Sequence, residues 1–68
     1  MWSIAHTRMG RCLDKHGTIY VLNLDELAYA THVDSEVQVM LRSGARFTID
    51  MQDKQSAAEL VTSFMGNG

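Results

Sequence analysis

Sixty-eight residues with 46% apolar content, no proline and a single cysteine describe one small folded domain, residues 1–68, that no internal disulfide can brace. A formal charge of −2 opposes tight binding to a phosphate backbone, and no apolar run approaches the ~20 residues that a membrane-spanning helix needs, so no membrane insertion is expected. A chain this short hides only ~60% of its unfolded surface, which makes association with a second copy the expected source of extra stability.

Trp2 to Met9 alternates loosely and reads as a first strand, with Gly10 after it as a bulge or a break. This end lacks the basic-then-apolar layout of a secretory signal, and the solitary Cys12 suits a reducing compartment, so a cytoplasmic location is expected. A short run from Arg11 to Asp14 leads into Lys15-His16-Gly17. A three-residue loop there sets Asp14 against Thr18 and Leu13 against Ile19.

The next segment, Thr18 to Leu24, is apolar on both faces. Ile19 and Val21 share one, and Tyr20, Leu22 and Leu24 the other. A strand of that kind is covered on both sides. One helix covers only one of them, so the second face is expected to meet a partner, unless the N-terminal strand or a curled sheet edge covers it. Asn23 and Asp25 both suit the start of a single helical turn around Asp25 to Ala28. From Leu27 to Val33 the odd positions Leu27, Tyr29 and Val33 form a strand face, and Asp34-Ser35 makes a turn.

The clearest pattern runs from Val37 to Met51. Odd positions are apolar (Val37, Val39, Leu41, Ala45, Phe47, Ile49, Met51) and even ones mostly polar, with Met40 the exception. Period two marks half-buried strands. A two-residue Ser43-Gly44 loop would pair Leu41 with Arg46 and mix the faces. A three-residue loop, Arg42-Ser43-Gly44, pairs Leu41 with Ala45, Val39 with Phe47 and Val37 with Ile49, and places Gly44 where a positive φ is required. Behind Asp53, an N-cap residue, Ala57, Leu60, Val61 and Phe64 fall on one stripe of an amphipathic helix. Met65 extends the stripe and Gly66 stops it. About 12 residues at ~1.5 Å each give a helix near 18 Å long, expected to pack on Val37, Val39, Phe47 and Ile49. The fold class expected is α+β: an antiparallel β-meander of four to five strands followed by one C-terminal amphipathic helix packed on one face.

Charge is unevenly spread. Residues 1–17 carry a net +2, residues 18–36 a net −4, and the remainder balances. A basic head beside an acidic middle favours subunits that meet in complementary fashion.

Little points to catalysis. His6, Cys12 and His16 lie close in sequence with Asp14 among them, but the paired spacing of zinc ligands is missing, so no metal is expected. Cys12 as a nucleophile would need a base, and His16 stands across a turn. His32, flanked in sequence by Asp25, Glu26, Asp34 and Glu36, is a candidate pH-sensitive contact. The carboxylate pairs Asp25-Glu26 and Asp34-x-Glu36 lack a cleft in which their pKa values would be pushed apart. No glycine run cradles phosphate, and no cofactor is expected. Single-stranded nucleic-acid binding is the first alternative: Arg42, Arg46, Gln38 and Thr48 share a wet face, and Tyr20 or Trp2 supplies a ring for stacking.

The segment Gly17-Thr-Ile-Tyr-Val-Leu-Asn23, an acid-flanked strand, then Val37-Gln-Val-Met-Leu41-Arg-Ser-Gly44-Ala-Arg-Phe47-Thr-Ile49 and a helix resembles the small flagellar FlbD/SwrD proteins. The likeness covers about Leu13 to Phe64. The proline that this family usually carries before its second hairpin is replaced by Val33-Asp34-Ser35, and Trp2–Arg11 lies outside the likeness. The resemblance implies a non-enzymatic accessory role exercised by contact and transfers no catalytic residue.

The expected function is therefore that of a small non-catalytic assembly module, a homodimer or higher oligomer that also meets a protein partner. The contact surface expected is the sheet face away from the helix, with Tyr20, Leu22, Leu24 and Met40 as apolar anchors and Arg42 and Arg46 as its rim. A phage-type inhibitor of a host factor is the remaining alternative.

Overall fold

A computed structural model describes residues 8–65. The elements in chain order are β1 (Met9–Leu13), β2 (Ile19–Asn23), a 3-10 turn (Leu24–Glu26), β3 (Leu27–Val33), β4 (Glu36–Leu41), β5 (Arg46–Asp50) and α1 (Lys54–Met65). This is the expected α+β class. All strand pairs are antiparallel, and they divide into a two-stranded ribbon, β1-β2, and a three-stranded sheet ordered β3-β4-β5. The division falls at the 3-10 turn, where the Asn23 side chain accepts the Asp25 N–H at 2.9 Å and the chain leaves the ribbon for the main sheet. Apart from Arg8 and Met9, the strand expected over Trp2 to Met9 falls outside the described residues, as does the Gly66 stop.

Both glycine loops fold as their spacing requires. Gly44 takes φ +96°, the Leu41 N–H reaches the Ala45 carbonyl at 2.9 Å, and β4 pairs with β5 in the register Val37–Ile49 and Val39–Phe47. Gly17 takes φ +86°, the Asp14 N–H reaches the Thr18 carbonyl at 3.0 Å, and Leu13 pairs with Ile19. Asp34 turns β3 into β4 at φ +52°, a left-handed conformation that aspartate tolerates better than most side chains.

Strand β3 departs from simple alternation. Its pairing shifts between Leu27 (opposite Leu41) and Tyr29 (opposite Met40), leaving Ala28 as the extra residue of a β-bulge. Leu27 and Ala30 therefore both face the core, while Tyr29 and Val33, expected on Leu27's face, point outward.

Val37, Val39, Ile49 and Ala57 sit at the centre of the core, joined by Leu27, Ala30, Leu60 and Phe64. The helix begins at Asp53, whose carboxylate accepts the Ser56 N–H at 2.7 Å, and presents Ala57, Leu60 and Phe64 inward. Met65 is 47% exposed and does not extend the stripe. The helix lies mainly on β3 and β4. The ribbon lies beside it over β5: Tyr20 stacks parallel on Phe47 with ring centroids 6.1 Å apart, and the Lys15 N–H reaches the Asp50 carbonyl at 2.8 Å. Gly10 is neither a bulge nor a break, since it pairs in register with Leu22. It is the place where Leu24 and Phe64 close on the ribbon backbone.

Two carboxylates tie turns together. Asp14 accepts the N–H of His16 at 2.8 Å and of Thr18 at 2.9 Å, and the Tyr20 hydroxyl donates to it at 3.4 Å. Desolvation alone would raise the Asp14 carboxyl, but these donors and the neighbouring His16 outweigh it and hold the group below the ordinary aspartate value. The Ser56 N–H and side chain do the same for Asp53. A carboxylate depressed in the folded state stabilises above its unfolded pKa, ~3.9, and that contribution disappears as pH falls through the folded value. The Asp14→Asn/Asp53→Asn double variant is thus expected to lose less of its stability than the parent between neutral pH and pH ~3, measured as urea midpoints across that range.

Candidate interaction surfaces

Among the described residues two faces are left uncovered, and they are set by strand register. On the ribbon, Gly10, Cys12, Tyr20 and Leu22 alternate toward the core, and Met9, Arg11, Leu13, Ile19, Val21 and Asn23 alternate away. The inner face pairs small with large, Gly10 with Leu22 and Cys12 with Tyr20, which lets a second layer approach. The outer face holds Met9, Leu13, Ile19 and Val21 at 55 to 58% exposure, with Arg11 opposite Val21 in their midst. On the main sheet the outward face is a grid of three rows. These are Tyr29–Met40–Arg46, Thr31–Gln38–Thr48 and Val33–Glu36–Asp50. A shallow depression of about 350 Å³ lies on this face, where Tyr29, Gln38, Met40, Arg46 and Thr48 meet.

The six residues expected to form one contact surface are distributed differently. Tyr20, Leu22 and Leu24 are partly buried against the core, so they do not lie on the face away from the helix. The ribbon turns them inward because a second layer, α1 together with β5, is there to receive them. Met40 and Arg46 do meet, as a directly opposed pair on the outward face of the main sheet. Arg42 stands apart in the β4-β5 loop, its N–H donated to the Glu26 carbonyl at 2.8 Å. Tyr29, hidden from sequence reasoning by the Ala28 bulge, joins Met40 and Arg46. The exposed half of the Thr18–Leu24 segment is Ile19 and Val21.

The groups considered for chemistry are held in quiet surroundings. Cys12 is half-buried, and burial first, then the Asp14 carboxylate, pushes its thiol above the ordinary range, the reverse of what an activated nucleophile needs. Tyr20, with its ring on Phe47, is likewise pushed up by desolvation and then by Asp14. His6 lies outside the described residues, and among the described residues no three His, Cys, Asp or Glu side chains gather as metal ligands would. His32 is half-buried, with Nδ1 3.1 Å from the Asp34 carbonyl. Arg8 pairs with Asp25 at 3.4 Å on the surface. No described helix is long and apolar enough to cross a membrane.

No family model, curated protein or solved structure matches this chain.

Proposed function

We propose that this chain is a small non-catalytic interaction module that works by self-association, with the outer face of the ribbon as its contact surface. The observation that carries this reading is the cluster of Met9, Leu13, Ile19 and Val21, each more than half exposed on one side of two paired strands. Scattered apolar side chains are ordinary on a surface, but a contiguous group on a domain this small marks a site of contact. A two-stranded ribbon also gains stability from a further layer.

A second copy suits the pattern. A two-fold axis running along the ribbon, between β1 and β2, sets Leu13 over the partner's Ile19. The same axis lays the stem of Arg11 over the partner's Val21 and keeps the two guanidinium groups apart. The stem is apolar enough for that role while its head stays in water. The hairpin likeness to the FlbD/SwrD proteins supports the same kind of role, an accessory acting by contact.

Sedimentation velocity over a wide concentration range tests the reading. The parent is expected to exceed the monomer mass as concentration rises and to melt at a temperature that rises with it. Ile19→Asp/Val21→Asp is expected to lose the association that the ribbon provides, sedimenting at a lower average mass than the parent at every concentration where the parent associates, while keeping its far-ultraviolet circular dichroism. A parent that remains a monomer throughout, with a melting temperature blind to concentration, removes the proposal. Tyr29, Arg46, Gln38 and Thr48 on one sheet face favour single-strand binding as the second reading, which predicts oligonucleotide retention that falls steeply with salt.

A further inference from the structure

We infer that the outward face of the three-stranded sheet is a second self-association surface, built to receive another copy of this chain across a two-fold axis laid along its middle row. This interface is separate from the ribbon and stands or falls without it.

In the third row Glu36 and Asp50 are directly opposed across β4 and β5, and like charges so placed repel. Among the described residues neither is in an ion pair, and neither is Arg46, the cation of the first row. One end of the face thus carries unneutralised acid and the other an unneutralised base. Rotation by a half-turn about the middle row exchanges the ends while keeping each strand over its own counterpart. Arg46 then meets the partner's Asp50, Met40 meets the partner's Glu36, and Tyr29 meets the partner's Val33. Tyr29 and Val33 are 46% and 59% exposed, so this contact removes apolar area from water on both sides.

The middle row meets itself. Gln38 carries both a donor and an acceptor and is long enough to pair with its own copy, while the shorter Thr31 and Thr48 keep water between their hydroxyls and those of the partner. The other axis in the plane of the face, along β4, does not work. It would set Glu36 on the partner's Glu36, Arg46 on the partner's Tyr29 and Asp50 on the partner's Val33, adding acid to acid and leaving the cation without a carboxylate.

Distance also permits the arrangement. Stacked sheets sit ~10 Å apart, a gap that arginine, methionine, tyrosine and glutamate side chains span from both sides. Two identical sheets share one twist and pack aligned, at about 30°. The depression beside Tyr29, Met40 and Arg46 gives the partner's carboxylates somewhere to enter.

The test uses the full chain carrying Ile19→Asp/Val21→Asp, so that only the sheet face is read. This background is expected to dimerise at high concentration. Arg46→Asp added to it sets carboxylates against carboxylates at both ends, and Asp50→Arg sets cations against cations. Each is expected to weaken the dimer roughly tenfold or more. An equimolar mixture of the two restores a dimer, since both contacts become attractive, and Arg46→Asp/Asp50→Arg in one chain restores it alone. All four positions are exposed, and circular dichroism checks that each variant folds. Three results overturn the inference: a background that stays monomeric at every concentration, single charge variants that dimerise as the background does, or a mixture that remains monomeric. Loss of oligonucleotide retention in Arg46→Asp with no change of mass overturns it in favour of single-strand binding. If the background dimerises while the unmodified chain gains nothing further from its ribbon, the ribbon reading fails and this one stands.

Discussion

Phe64→Ala is expected to destabilise the domain by about 3–5 kcal/mol, enough to leave much of it unfolded at room temperature. Phe64 is 7% exposed and sits where three pieces of structure converge. It is the last inward residue of α1, it belongs to the core with Leu60 and Ala57, and its ring lies against the ribbon at Gly10. Truncation removes the ring's burial and leaves a cavity bounded by a strand backbone that cannot collapse into it. A chain of this length has a total stability on the order of 3–10 kcal/mol, so the loss is comparable to the whole. The control is the next residue. Met65 is 47% exposed, and Met65→Ala should fall within ~0.5 kcal/mol of the parent. Urea titration followed by circular dichroism at fixed protein concentration reads both. A Phe64→Ala curve that overlies the parent would mean that the helix end is not packed on the ribbon.

What the sequence made legible follows from where local rules act alone. The two hairpins could be written down residue by residue because a glycine at the left-handed position and the parity of the flanking strands together fix loop length, and loop length fixes register. The Asp53 cap and the Ala57-Leu60-Phe64 stripe were equally local. The Ala28 bulge was not, because nothing in Leu27-Ala28-Tyr29 distinguishes a bulged pair from plain alternation. That single extra residue turns Tyr29 outward and creates the first row of the sheet's outer face. The choice between the two apolar sides of β2 was also out of reach of simple alternation, since Ile19 and Val21 are as greasy as Tyr20 and Leu22. A signal existed in the partner strand: Gly10 and Cys12 stand opposite Leu22 and Tyr20, and small residues mark the side on which another layer comes close. Arg11 and Leu13, long side chains both, mark the side left open.

Gly10→Ala tests that signal, and its sign is set by two opposed effects. Gly10 does not require a positive φ, so a methyl group there would ordinarily stabilise by about 0.4–1 kcal/mol through the unfolded chain. Against this, a Cβ at Gly10 would stand 2.8 Å from Leu24 Cδ2 and 3.0 Å from Phe64 Cε1. The Leu24 methyl is the far end of a half-buried side chain and can swing away, whereas the Phe64 ring is pinned in the core. Overpacking of this kind costs ~1–3 kcal/mol, so steric strain wins, and Gly10→Val, with two further methyl groups, belongs at or beyond the top of that range. Leu24→Ala alone should cost less than truncation of a fully buried leucine. Combined with Gly10→Ala, it removes the shorter of the two contacts and lets the strand shift off the Phe64 ring toward the vacated side, so the double variant should be more stable than the sum of the single losses predicts by at least ~0.5 kcal/mol. A Gly10→Ala protein that melts above the parent, or a double variant whose losses simply add, would place the ribbon farther from the helix than this fold does. The ribbon's exposed face depends on that closeness, because it is the docking of Gly10 under Phe64 that turns Tyr20 and Leu22 inward and leaves Ile19 and Val21 to the solvent.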